Sequence, residues 1–261
     1  MSAGYFETDT IHIELGEHVF FTPTGRRLLT VREPHSRPAR MLPSGGGVLE
    51  VEVTGQRLRE NLGDAERYVY EHLHALATSG PGCLGAEDNR GKRHVFADAV
   101  CVSAHAEVRA YRFADVRYVF HCPESTAEPA WTSVPDPPPV YPGTSTAQDY
   151  TAGGVTLATG VGMRLQMERE WPLRQVPRTR GARLTRPPSG AQLRFAVRVH
   201  AVAENKNLAG FMEDLMRAVG PGALDLSANG NTYQDVTLDG VSPEHTDLHA
   251  TACEIEFLKQ L

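Results

Sequence analysis

Apolar and polar residues alternate along several stretches of this chain, and two other stretches carry apolar residues at helical spacing. Leu49, Val51 and Val53 fall on one side of an extended segment while Val48, Glu50 and Glu52 fall on the other, the period of two that marks a half-buried strand. Ile11, Ile13 and Leu15 alternate with His12 and Glu14, and Val19-Phe20-Phe21 runs into Pro23-Thr24-Gly25, which predicts strand, turn and loop in that order. Beyond Asp64, read as an N-cap, Val69, Leu73 and Leu76 form the apolar stripe of an amphipathic helix. Gly80-Pro81-Gly82 ends it, because glycine accepts a left-handed cap and proline cannot continue the hydrogen-bond ladder. A polar turn at Asn89-Arg90-Gly91 leads into two further strands, Val95 to Val102 and Val116 to Cys122.

This order is then repeated. Pro188-Ser189-Gly190 answers Pro43-Ser44-Gly45, and Leu193, Phe195, Val197 and Val199 alternate with Arg194, Ala196, Arg198 and His200. Leu208, Phe211, Met212, Leu215, Met216 and Val219 form a second helical stripe, with Asn205 or Asn207 as its cap, and Gly220-Pro221-Gly222 with Leu224 matches Gly80-Pro81-Gly82 with Leu84. Asn229-Gly230 reads as a hairpin turn before Val236 and Leu238, and Cys253, Ile255 and Phe257 alternate with Glu254 and Glu256. The separation between equivalent residues drifts from 145 at Ser44 and Ser189 to 137 at Asp98 and Asp235, as small deletions in the loops of a second copy would produce.

Strands of period two around one amphipathic helix predict an α+β unit, an antiparallel sheet or small β-sandwich with the helix on one side. Two homologous domains of this kind are expected, at 1–123 and 151–261, joined by a Pro-rich linker at 124–150. Seven prolines between Pro123 and Gly143 make that connection extended and semi-rigid.

Composition narrows the function without naming it. The 261 residues suffice for two domains that fold without disulfides or metal, and 41% apolar with 22% charged residues is ordinary for a globular chain. No stretch approaches the roughly 20 apolar residues that span a bilayer, and Met1 to Glu7 lack the basic start of a secretion signal, so a cytoplasmic protein, or a particle component assembled there, is expected. A net charge of −6 argues against a general nucleic-acid binder and suits a surface that lets DNA slide past without holding it. Cys83, Cys101, Cys122 and Cys253 have no paired spacing and read as reduced, packed cysteines.

Candidate chemistry is sparse. His72 and His74 fall on different faces of a helix, and His121-Cys122 alternate faces at a strand end, so neither pair has metal-ligand spacing. Neither a GxSxG elbow nor a phosphate-cradling glycine loop is present, and Gly45-Gly46-Gly47 reads as a tight reversal before a strand. Asp98 and Asp235, at equivalent positions, read as turn-forming side chains, with a catalytic pair as the alternative. No catalytic, cofactor or metal residues are therefore assigned. A candidate subunit interface is assigned instead: Glu50 and Glu52 lie on one copy's strand and Arg194 and Arg198 on the corresponding strand of the other, with Glu50 aligned to Arg194, charges that could meet between copies around a ring. Seven arginines between Arg164 and Arg186, interleaved with Trp171, add Arg174, Arg178 and Arg180 as anchors of a docking loop or hairpin, or of a DNA-contacting arm.

The Leu49-Glu50-Val51-Glu52-Val53 strand, the helix, Gly80-Pro81-Gly82-Cys83-Leu84 and the closing Val119-Phe120-His121-Cys122-Pro123 resemble the N-terminal domain of distal tail proteins of tailed bacteriophages. Asn231 to Leu238 and Cys253 to Phe257 look similar to that domain and to the tail-tube fold. The resemblance implies a virion tail protein without enzymatic activity or cofactor. It would form a homo-oligomeric ring that extends the tail tube to the hub or baseplate, touches the tape-measure protein and lets DNA through its lumen without specific binding or any membrane contact. Two such domains per chain fit either a hexamer or a trimeric hub with pseudo-sixfold symmetry. The rival expectations are a hydrolase using Asp98, Asp235 or His121, and a DNA-binding protein using Arg164 to Arg186.

Overall fold

The computed structural model describes residues 4–16, 20–32, 41–87, 93–109, 113–123, 143–144, 150–157, 159–169, 173–175, 182–184, 190–201, 213, 216–245 and 251–261. The first half is built from β1 (Gly4–Glu7), β2 (His12–Gly16), β3 (Phe20–Arg32), β4 (Met41–Leu58), α1 (Leu62–Thr78), β5 (Gly82–Glu87), β6 (Arg93–Arg109) and β7 (Phe113–Pro123). The second contains β8 (Gly143–Thr144), β9 (Tyr150–Ala152), β10 (Val155–Leu157), β11 (Thr159–Glu168), β12 (Leu173–Gln175) and β13 (Ala182–Leu184). It continues with β14 (Gln192–Ala201), β15 (Leu224–Ala228), β16 (Asn231–His245) and β17 (Thr251–Gln260).

The expected pair of α+β domains is not what forms. Among the described residues strands predominate, and a single 15-stranded antiparallel sheet runs through both halves. The cause lies at a strand edge. The end of β6 is hydrogen-bonded to β7 on one side, and its other side would present unpaired backbone groups if the first half stood alone. β11 fills that side, with Arg164 opposite Glu107 and Glu168 opposite Ser103, so the sheet continues where a domain boundary was expected.

Pairing follows one scheme in each half. A long strand, β6 or β16, pairs through its first part with a short strand, β5 or β15, and through its second part with β7 or β17. Each of these last two pairs with β4 or β14, and these in turn with β3 or β11. Asp98 and Asp235 mark the switch of partner, with φ of 51° and 57°, at irregularities where two residues of the long strand face one of the short one. Left-handed backbone is tolerable for Asp and hostile to β-branched residues, so a bulge is what this residue permits there. The turn expected ahead of a strand is thus a bend within one. Register also corrects the sequence alignment: Leu84 faces Phe96 as Leu226 faces Tyr233, so the partner of Leu84 in the repeat is Leu226 and not Leu224.

Three other expectations shift. Asn61, not Asp64, is the N-cap of α1: its side chain accepts from the Asp64 backbone N–H at 2.9 Å and donates to the Asp64 carboxylate at 2.6 Å. Pro23-Thr24-Gly25 does not end its strand, because β3 passes it with a register irregularity and runs to Arg32. Gly45 to Gly47 lie inside β4. The linker at 124–150 falls outside the described residues, apart from β8 and Tyr150. So does most of the second helix, of which Glu213 and residues 216–219 are helical.

The sheet has one apolar and one polar face. Val51 and Val53 of β4, Tyr118 and Phe120 of β7, Leu165 of β11, Phe195 of β14 and Phe257 of β17 are fully buried in one core that spans both halves. α1 covers this face with Val69, Leu73 and Leu76. Alternation then leaves Glu52, Arg117, His105, Gln166, Arg194 and Glu256 on the other face, partly or fully exposed.

Candidate assembly interface

The junction of the halves is where polar groups are most deeply committed. α1 belongs to the first half, yet both its ends are held by the second. Glu66, in its first turns, is fully buried and takes hydrogen bonds from the Tyr150 hydroxyl and from the Asn229 amide, at 3.2 Å to each carboxylate oxygen. Burial outweighs those bonds and a backbone bond from Met163, and raises its pKa to about 7. Beside it, buried Asn231 donates to the Gly63 carbonyl at 3.0 Å and accepts from Arg67 at 3.2 Å. Gly63 must be glycine for a spatial reason: a Cβ there would stand 2.1 Å from the carbonyl oxygen of Asn229.

At the other end of α1, Arg169 follows β11 and is 6% exposed. Its guanidinium donates to the carbonyls of Leu76 at 3.0 Å and Ser79 at 2.6 Å, groups that a helix C-terminus leaves without intrahelical partners. Desolvation lowers its pKa to about 10, which still leaves it charged at neutral pH. Between the two clamps the Tyr70 ring lies 6.2 Å from Phe195 and 5.1 Å from Tyr233. Helix, strand edge and core together fuse the halves.

The edges at the ends of the sheet carry the matching backbone. β11, whose outer edge joins β6, corresponds to β3; the second part of β6, which receives it, corresponds to the second part of β16. Among the described residues β3 pairs with β4 alone, and Thr237 to His245 of β16 pair with β17 alone. Besides the edges at β2 and β10, the described sheet therefore has two unlike edges of the kinds that its own joint brings together.

The candidate interface charges are satisfied near home. Glu52 meets Arg117 at 2.7 Å and Glu50 meets His121 at 3.6 Å, both on β7. Arg194 contacts Glu256 at 2.6 Å and Asp239 at 2.9 Å, and Arg198 stands opposite Glu254 in register. Arg164, expected in a loop, is in the middle of the sheet and is paired with Glu254. Arg174 lies on β12, opposite Arg183 of β13, in a separate two-stranded hairpin. Trp171, Arg178 and Arg180 lie outside the described residues. Sequence reasoning missed β11, although the alternation Met163, Leu165, Met167, all fully buried, was the signal for it.

The residues weighed for catalysis are scattered. His121 is opposite Val100 on the same strand pair as Asp98, whereas Asp235 occupies the corresponding point of the other half. An open pocket beside α1, lined by Arg59, Glu60, Asp64, Arg67, Tyr68 and Glu71, contains none of them. Burial, with Arg59 and Arg57 nearby, holds His72 at a pKa of about 3, and its ring lies 3.4 Å from the Tyr118 hydroxyl. The four cysteines are free thiols, and burial pushes Cys101 up to about 12, far from thiolate chemistry. Among the described residues no three of His, Cys, Asp and Glu converge as a metal site would need, and no helix is long and apolar enough to cross a membrane. No protein-family model matches the chain, and a search of curated proteins finds no match.

Proposed function

We propose that this protein is a structural, ring-forming component of a phage tail or related injection particle, acting at the distal end of the tube where it adjoins hub and baseplate. The observation that carries the reading is the β6–β11 joint together with the matching edges of β3 and of the second part of β16. Because the joint brings unlike edges together, it is head-to-tail, and repeating such a contact closes a ring when the rotation permits. A chain that already contains one joint needs only a second of the same kind to propagate. Three copies, each holding two equivalent halves, then give pseudo-sixfold symmetry, which makes the trimeric hub plan the favoured form of the ring over a hexamer.

The polar face suits the wall of a DNA channel. Among the residues of that face whose side chains are described, carboxylates outnumber guanidiniums, with Glu50, Glu52, Glu107, Glu168, Glu254 and Glu256 against Arg117, Arg164, Arg194 and Arg198. Arg117, Arg164 and Arg194 there are each paired with an acidic group, Glu52, Glu254 and Glu256. Such a wall repels phosphate at short range and offers no basic track on which DNA would stall. The ring would assemble in the host cytoplasm, become part of the virion, and work mechanically, without cofactor or catalysis.

Negative-stain imaging of the purified protein tests this, supported by mass measured in solution. Closed rings with a central hole and a mass in multiples of three chains are the expected result. A monodisperse monomer at high concentration overturns the proposal, and salt-sensitive retention on DNA would favour the nucleic-acid alternative.

A further inference from the structure

The open pocket beside α1 has charged walls that do not neutralise one another. Asp64, Arg67, Tyr68 and Glu71 fall on one stripe of the helix, and Arg59 and Glu60, between β4 and α1, complete the lining. The space is about 280 Å³, which at the roughly 30 Å³ a water occupies in the liquid holds about nine non-hydrogen atoms. Arg67 and Glu71 are four residues apart, a spacing at which opposite charges on a helix ordinarily meet. Here they do not. Arg67 donates through Nε to Asn231 at 3.2 Å, and the Arg59 guanidinium stands 4.0 Å from the centre of the Tyr68 ring. Each is thus held by a group other than Glu71, which makes no ion pair among the described residues. Glu71 Oε1 is buried there without a hydrogen-bond partner, and so is Arg59 Nε. Such orphans are costly in a folded protein, so two of them in the lining of one pocket mark a place shaped for a molecule that supplies both partners. Burial raises the Glu71 pKa, with Arg67 and Arg59 opposing the rise. The other two carboxylates are engaged or outside: Asp64 accepts from Asn61 at 2.6 Å, and Glu60 is exposed.

We propose that this pocket binds a free α-amino acid, with its carboxylate on Arg59 and Arg67 and its ammonium group donating to Glu71. The charge pattern selects the class. A lone carboxylate would be drawn to the two guanidiniums and repelled by Glu71, and a lone amine would meet the reverse. Opposite charges on adjacent atoms satisfy both walls at once. In a peptide one of the two is consumed in an amide bond or carried to the far end of the chain, which favours the free amino acid over a chain terminus. The volume then sets the size, a side chain of about four carbons. This site is independent of the ring reading and would add a ligand to a structural protein.

Calorimetric titration above neutral pH with three probes of one shape tests this: leucine, 4-methylpentanoate, which lacks its ammonium group, and 3-methylbutylamine, which lacks its carboxylate. Leucine should bind with a Kd on the order of 1 mM, and each of the other two about tenfold more weakly. Glu71→Gln should weaken leucine about tenfold while 4-methylpentanoate binds as well as before or better, since the repelling charge is gone. Arg59→Gln should weaken leucine and 4-methylpentanoate alike, by about tenfold. Urea unfolding establishes that each variant is folded, and the three-probe comparison on the parent requires no variant. Absence of leucine binding at about 10 mM overturns the proposal. Equal affinity for leucine and 4-methylpentanoate overturns the role of Glu71, and leucine binding unchanged by Glu71→Gln and Arg59→Gln overturns the site. None of these outcomes bears on ring formation, which imaging decides separately.

Discussion

Tyr150 donates its hydroxyl hydrogen bond to Glu66, 84 residues earlier in the chain, and this contact ties the helix of the first half to β9 of the second. The carboxyl group has no exposed surface, and burial leaves its folded pKa at about 7 against an ordinary value of 4.5. A group raised in this way contributes stability that is fully present below its unfolded pKa and is lost as pH rises through the folded one. Unfolding free energy should therefore decline between about pH 4.5 and 7 by on the order of 3 kcal/mol from this group. Tyr70, Tyr233 and Arg67 are the other titratable groups around it, and none of the tyrosines ionises in that window. Urea unfolding at half-unit pH steps checks this: Glu66→Gln should flatten the decline and be more stable than the parent at pH 8, and an unchanged slope would reject the assignment.

Removing the guanidinium that caps α1 should cost more than removing one on the polar face. Arg169→Met keeps much of the aliphatic bulk but takes the guanidinium donor from the Ser79 carbonyl and leaves the Leu76 carbonyl with the Ser79 hydroxyl alone, in a buried place, at about 2–4 kcal/mol. Arg169→Lys should recover only part of this, because an ammonium cannot span two carbonyls as a fork does. Arg117→Ala breaks the shorter-range pair with Glu52, but that side chain is 59% exposed, and a loss below about 1 kcal/mol is expected. Chemical denaturation of the three variants under one set of conditions ranks them, and comparable losses at Arg117 and Arg169 would contradict the ordering.

Gly63→Ala sets two known effects against each other. Alanine is the better helix former by up to about 1 kcal/mol, less in a first turn. Against it, the new methyl group would overlap the Asn229 carbonyl oxygen, which belongs to backbone and cannot swing aside. The clash should prevail and destabilise the protein by about 1–3 kcal/mol, with the junction opening before the sheet. Hydrogen exchange tests the second part: amides of α1 should lose protection while those of β4 and β7 keep theirs.

Local pattern was readable and long-range pairing was not. Leu193 to Val199 and Leu49 to Val53 declare their strands by strict alternation, and the repeat was visible because both copies kept that alternation. The joint is made by Ala104 and Ala106 against Leu165 and Met167. Small alanines give a weak hydrophobic signal, and the arginines around Arg164 drew the reading toward a loop. Nothing local distinguishes a strand edge that remains free from one filled by a segment some 60 residues later, so one sheet was read as two domains. Asp98 and Asp235 were recognised as equivalent, but a left-handed bulge and a turn favour the same residue types.

Those two aspartates offer a test that separates backbone from chemistry. If they serve only to accept φ of 51° and 57° at the point where β6 and β16 change partners, glycine should do as well or better. Relief of the left-handed conformation is worth up to about 1 kcal/mol, partly offset by the greater freedom of glycine in the unfolded chain. Asp98→Gly and Asp235→Gly should thus unfold within about 0.5 kcal/mol of the parent and assemble normally. Asp98→Val and Asp235→Val should each lose about 1–2 kcal/mol, since a β-branched residue is the least tolerant of that region. The equivalence of the two sites predicts that the paired losses match, measured by thermal unfolding of all four variants. Glycine variants that fold but fail to assemble would show that the carboxylates themselves are needed, and would return them to consideration as functional groups.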